Sequence, residues 1–172
     1  YVMLTSLFLQ HPERKIHVFA LHMDLSDTDQ ATLKSLAKEH HNILDFITIR
    51  PDDFPDSLPT TELWSLETYF RLQLIDKLPL FVDRILYLDV DMIISSSLSE
   101  FYDQDFEGNL FCACKDMPTE LPFTDIRANL FHPLIEKGFV YFNAGIMLWN
   151  IHSLRGHYSF DFYMKLAEEL NY

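Results

Sequence analysis

The stretch at residues 84–94 constrains the fold most, because it is an apolar run that carries two closely spaced carboxylates. It predicts a buried β-strand over residues 84–88. Side chains on a strand alternate between faces, so we expect Asp89 and Asp91 to point the same way and Val90 to point back into the protein. Hard cations such as Mg2+ and Mn2+ take oxygen ligands and share them with phosphates. The pair therefore predicts a divalent-metal site for a phosphorylated ligand. The alternative is two solvated acids that end a buried strand.

Composition limits the classes of protein to consider. The chain has 172 residues, 48% of them apolar, which favours one globular domain over residues 1–172. No apolar run is long enough to span a bilayer and no leader pattern opens the chain, so we expect a cytoplasmic protein without a transmembrane segment. Helical patterns at both ends indicate a piece of a larger protein. The net charge of −13 disfavours nucleic acid as a partner.

Several common catalytic and binding motifs are missing from the sequence. The four glycines form neither a dinucleotide-binding nor a Walker motif, and there is no G-x-S-x-G elbow. Cys112 and Cys114 lie on one face of a predicted strand without a second pair to complete a metal site, so we assign them no chemistry.

Hydrophobic periodicity predicts alternating strands and helices. The predicted strands are residues 15–21, 43–49, 84–88, 109–115 and 139–149. The predicted helices are residues 1–10, 26–41, 61–78 and 152–170, with a short turn at 97–102 that begins in a Ser97/Glu100 capping box. Loops are expected at 51–59 and 116–137. This order indicates an α/β sandwich with a mainly parallel sheet, whose ligands gather at the carboxyl ends of the strands.

Four segments match one family in order and spacing. They are residues 68–72 (TYFRL), 84–94 (RILYLDVDMII), 97–106 (SLSEFYDQDF) and 141–150 (YFNAGIMLWN). The chain resembles glycosyltransferase family 8, which includes lipopolysaccharide galactosyl- and glucosyltransferases. The resemblance implies a GT-A α/β/α sandwich, and transfer of a hexose from a UDP-sugar donor to a saccharide or other hydroxyl acceptor with retention of configuration.

The resemblance also implies roles for individual residues. Asp89 and Asp91 would hold Mn2+ (or Mg2+) against the donor diphosphate, and Arg71 would reach toward the donor. The alternative for Arg71 is a surface ion pair with Glu67, four residues earlier on the predicted helix. The donor-binding residues implied by the family are Arg71, Asp89, Val90, Asp91, Asp116, Asn143, Ala144 and Gly145.

Four more of these residues have alternatives that the sequence leaves open. Asp116 would bond donor-sugar hydroxyls, or it could cap a helix or turn. The Asn143-Ala144-Gly145 segment would form a wall beside the sugar, where glycine permits a close backbone approach, or it could be a strand bulge.

Some elements of the family pattern are expected outside this chain. They are a first strand that binds uracil and ribose, an Asp-Gln-Asp motif, and a His-x-x-Gly-x-x-Lys segment. His132, His152 and His157 do not fit the last of these and are interpreted as loop or surface histidines. No catalytic residue is assigned, because the candidate is expected beyond Tyr172. We therefore expect either an incomplete GT-A sheet at both ends or strand exchange in a homo-oligomer.

Two other functions are compatible with the paired acids. A haloacid-dehalogenase-like phosphohydrolase also uses Asp-x-Asp after a strand, but after the first strand of its core. A non-catalytic UDP-binding or scaffolding remnant would keep the fold without turnover.

Overall fold

The computed structural model describes residues 1–55, 58, 66–116, 140 and 142–170. The strands are β1 (His17–His22), β2 (Ile43–Thr48), β3 (Arg84–Leu88), β4 (Phe111–Lys115) and β5 (Phe142–Asn150). The α-helices are α1 (Val2–Leu9), α2 (Asp27–Glu39), α3 (Leu74–Lys77), α4 (Ser99–Tyr102), α5 (Ile151–Arg155) and α6 (Phe160–Leu170), with 3-10 segments at Pro51–Asp53 and Leu66–Gln73. In this part of the chain, no helix combines the length and apolar composition needed to cross a membrane.

The described strands form two sheets with different pairing. β1 and β2 pair in parallel, whereas β5 lies between β3 and β4 and runs antiparallel to both. The predicted α/β alternation is present, and the described strands form one parallel pair and two antiparallel pairs. The carboxyl ends of β3 and β4 therefore lie at the same edge as the start of β5.

Strand β1 contributes to cores on both of its faces. Val18 and Ala20 pack against a cluster that includes α1 and α2 residues, whereas Phe19 and Leu21 pack against a second cluster that includes Trp149 of β5. Because strand side chains alternate, apolar neighbours on both faces indicate a layered sandwich.

Local signals explain several element ends. The α2 helix begins after Ser26, whose Oγ accepts the Asp29 N–H at 3.1 Å. The α3 helix ends at Lys77, because Pro79 disfavours helical geometry at Leu78, which is extended (ψ 144°). The sequence predicts a single helix over 61–78. The described part of this range forms a 3-10 segment followed by α3, and residues 61–65 lie outside the described part.

Two other predictions need correction. The predicted helix at 152–170 is divided into α5, which ends at Arg155 with Gly156 as its C-cap, and α6, which begins at Phe160. The Ser97/Glu100 capping box is only partly confirmed, since Ser97 Oγ accepts the Ser99 N–H at 3.2 Å. Helix α4 begins one residue later than the box requires, and its N-cap Leu98 makes no side-chain cap bond. Most of the predicted loop at 116–137 lies outside the described residues.

Contacts from distant elements hold both ends of the β3 region. Before the strand, the Arg155 guanidinium donates to a series of backbone carbonyls: those of Ile75, Leu78, Pro79, Leu80 and Val82. After the strand, Ser6 Oγ accepts the Ile94 N–H at 3.0 Å and His11 Nε2 accepts the Leu98 N–H at 2.7 Å. These bonds fix the chain on either side of the paired acids.

Candidate functional site

The paired acids follow β3 at the edge of the sheet where β5 begins. The Asp89 N–H donates to Gly145 O at 2.8 Å, which extends the β3–β5 ladder by one residue. This bond joins two of the family motifs, residues 84–94 and residues 141–150. Because Asp116 directly follows β4, the topology places it at the same edge.

Arg71 lies between these motifs rather than on an open helix surface. Its Nη2 donates to Asp89 Oδ1 at 3.5 Å, its Nη1 donates to Ala144 O, and its Nε donates to Thr68 O at 3.0 Å. The side chain is 15% exposed. These contacts bring Arg71 to Asp89 and to the Ala144 backbone. Its role toward a ligand stays a prediction.

Gly145 gives the Asp89 carboxylate the space that it occupies. A Cβ atom built on Gly145 would lie 2.6 Å from Asp89 Oδ2, and Gly145 does not adopt a left-handed φ. Space rather than backbone conformation is therefore the reason for a glycine here. The other carboxylate oxygen, Oδ1, accepts the Tyr87 O–H at 2.7 Å as well as the Arg71 bond.

Tyr87 is a residue that sequence reasoning missed. It lies two residues before Asp89, and strand alternation could have placed both side chains on one face. The Arg71 guanidinium lies over its ring, 4.6 Å from the centroid. Burial raises the pKa of the Tyr87 phenol above its ordinary value, and the hydrogen bond to Asp89 raises it further. Tyr87 therefore stays protonated and able to donate.

The prediction for the orientation of Val90 is wrong. Its side chain is 84% exposed, because β3 ends at Leu88 and residues 90–91 form a turn in which strand alternation no longer applies. Asp91, in the same turn, is exposed. Val90 thus lies on the surface between two acids, and it packs against no core cluster formed by the described residues.

Asn143 uses its carbonyl oxygen within the chain. Its Oδ1 accepts the Gly145 N–H at 2.8 Å, and both Asn143 and Ala144 are exposed. The bond orders the backbone at the start of β5. In the family interpretation, the side-chain NH2 group of Asn143 would donate a hydrogen bond to a sugar hydroxyl.

The residues at this edge suit a hard divalent cation. Asp89 and Asp91 would supply carboxylate oxygens, which are ligands that Mg2+ and Mn2+ prefer. Within the described residues, no group of three or more His, Cys, Asp or Glu side chains could hold a metal. Two carboxylates alone leave coordination positions for phosphate oxygens and water, which is the usual arrangement for Mg2+ at phosphate sites.

Comparison with known proteins identifies what the chain is similar to. The family model described as "Glycosyl transferase family 8" matches residues 1–171. A lipopolysaccharide 1,3-galactosyltransferase from Salmonella typhimurium is 33% identical over 152 residues, covering 87% of this chain and 44% of that protein. A lipopolysaccharide 1,2-glucosyltransferase from Escherichia coli K12 is 27% identical over 116 residues, covering 67% of this chain and 34% of that protein.

Solved structures agree with these sequence matches. The galactosyltransferase LgtC, in a complex with donor and acceptor sugar analogs, superposes with a TM-score of 0.84 at 27% identity. The match covers 99% of this chain and 59% of that one. The predicted GT-A α/β fold is confirmed by this similarity. The chain spans less than half the length of the curated relatives it matches.

Proposed function

The chain belongs to glycosyl transferase family 8, and on that premise we propose that it carries the donor-binding part of a metal-dependent hexosyltransferase. The donor is a UDP-sugar, the acceptor is a saccharide or other hydroxyl compound, and transfer proceeds with retention of configuration. The similarity to lipopolysaccharide transferases favours a lipopolysaccharide or another cell-surface glycan as the acceptor. A cytoplasmic location and homo-oligomerisation stay predictions from the sequence.

One observation carries the proposal: Arg71, Asp89 and Gly145 converge although they come from three separate sequence motifs. Asp89 and Asp91 would hold Mn2+ or Mg2+. When bound, such a cation supplies Lewis-acid stabilisation of the negative charge on the departing diphosphate. Arg71 adds a positive charge beside Asp89 and supports diphosphate binding through the same electrostatic attraction.

The remaining residues would orient the sugar. Ala144 has only a small, exposed side chain, so a sugar ring could approach the β5 backbone at this residue. The Asn143 amide would donate to a sugar hydroxyl, and the Asp116 carboxylate would accept from one. These groups select for a ligand with several hydroxyls next to a diphosphate.

The decisive experiment titrates the full chain with a panel of UDP-sugars and measures release of UDP with and without Mn2+. We expect Mn2+-dependent hydrolysis or transfer with one or a few donors. UDP binding without turnover would support a non-catalytic binding protein instead. Phosphate release from small phosphate esters, independent of UDP, would favour the phosphohydrolase alternative.

A further inference from the structure

The two carboxylate oxygens of Asp89 have neighbours of different kinds. Oδ1 accepts hydrogen bonds from Tyr87 at 2.7 Å and from Arg71 at 3.5 Å. Oδ2 faces Gly145, where even a methyl group would be too close. The Tyr87 bond has normal hydrogen-bond length, whereas the Arg71 bond is at the long limit. Tyr87 is therefore the main donor that sets the direction of the carboxylate.

Tyr87 is itself rigidly placed. It lies within β3, directly opposite the buried Met147 of β5, and Met147 is in turn opposite Ala113 of β4. Its ring lies under the Arg71 guanidinium. By contrast, Asp89 lies just beyond the strand and is partly exposed. A side chain at such a position would sample several rotamers without a fixed donor.

We propose that Tyr87 is a positioning residue, whose O–H group holds Asp89 Oδ1 and so fixes the orientation of the carboxylate that would hold the divalent cation. The inference rests on the proposed function, because that function assigns Asp89 as a metal ligand. A partner that orients a metal ligand commonly changes metal affinity or activity by about 10- to 100-fold when removed. Tyr87 would act through Asp89 and would not contact substrate.

The test measures Mn2+ binding directly in the full chain, by electron paramagnetic resonance of free Mn2+ in the presence of UDP. Tyr87→Phe removes the hydroxyl and keeps the ring beneath Arg71. We expect its Mn2+ affinity to fall by about 10- to 100-fold, with a thermal unfolding midpoint close to that of the wild type. The matched control is Tyr163→Phe, which removes a hydroxyl from the half-buried Tyr163 of α6, and should bind Mn2+ as the wild type does.

A second variant replaces the Tyr87 hydroxyl with another hydrogen-bond donor. p-Aminophenylalanine at position 87 keeps an N–H donor at the same end of the ring, so it should bind Mn2+ much as the wild type does. If Tyr87→Phe binds Mn2+ like the wild type, or if the p-amino variant fails to bind it, the positioning role is overturned. If the wild type itself does not bind Mn2+ in the presence of UDP, the proposed function is wrong. Loss of the Tyr87 role alone is recognised because the wild type then still binds Mn2+.

Discussion

A methyl group on Gly145 would lie 2.6 Å from Asp89 Oδ2, so the glycine on β5 determines whether the carboxylate after β3 can take its position. The two residues are also joined through the backbone, since the Asp89 N–H donates to Gly145 O. The atom in conflict is at the end of the Asp89 side chain, so a side chain at 145 would displace this carboxylate.

Gly145→Ala should therefore impair the site more than the fold. Displacement of the Asp89 carboxylate by about 1 Å is expected to lower Mn2+-dependent turnover by roughly 100-fold. The measurement is steady-state kinetics, with circular dichroism as a check on folding. Gly156→Ala is the matched control, because its Cβ would make an ordinary 3.5 Å contact with Ser153 O. Normal turnover in Gly145→Ala would contradict the importance of this contact.

Asp91→Asn should abolish Mn2+-dependent UDP binding and leave the fold intact. The change is nearly isosteric, and Asp91 is exposed in a turn, so little packing is lost. Isothermal titration with UDP and Mn2+ measures the effect. Asp83→Asn provides the control, because Asp83 is an exposed aspartate that lies just before β3, at its other end. Equal UDP affinity in the two variants would refute the metal assignment of Asp91.

Arg71→Ala should weaken UDP-sugar binding by about 10- to 100-fold, since hydrogen bonds to charged groups contribute about 1.5–3 kcal/mol. It should also lower the free energy of unfolding, because Arg71 is largely buried and bonds Ala144 O. Donor titration and urea denaturation separate the two effects. The control is Arg84→Ala, whose guanidinium bonds Tyr102 O and packs over Phe106. Arg84→Ala should lower the free energy of unfolding and keep normal donor affinity. If both variants lose stability and donor affinity to the same extent, Arg71 has a structural role.

His11→Ala should destabilise the chain after the paired acids. His11 is buried; its Nε2 accepts the Leu98 N–H, so its Nδ1–H donates to Leu7 O at 2.8 Å. Leaving these groups unpaired should lower the free energy of unfolding by about 1–3 kcal/mol. Urea denaturation measures this change. His152→Ala, at a largely exposed histidine, should change stability by less than about 0.5 kcal/mol. Similar values for both variants would argue against the bridging role of His11.

Local patterns in the sequence determined most of the individual elements. The predicted strand at 84–88 has the same bounds as β3, and Ser26 caps α2 as expected, because alternation and capping depend on residues a few positions apart. Family motifs in the sequence also identified Arg71, Asp89 and Gly145 as candidates for one site.

Only the tertiary structure decided how these residues meet. Arg71 bonds Asp89, 18 residues away, and Ala144, 73 residues away, so neither contact follows from helical spacing. The exposure of Val90 depended on where β3 ends, and the mixed pairing depended on the direction in which β5 enters the sheet. The bond from Tyr87 to Asp89 and the space required at Gly145 are likewise products of packing between strands. Sequence periodicity reports the environment of each segment, whereas contacts between distant segments are set by how the whole chain fills its volume.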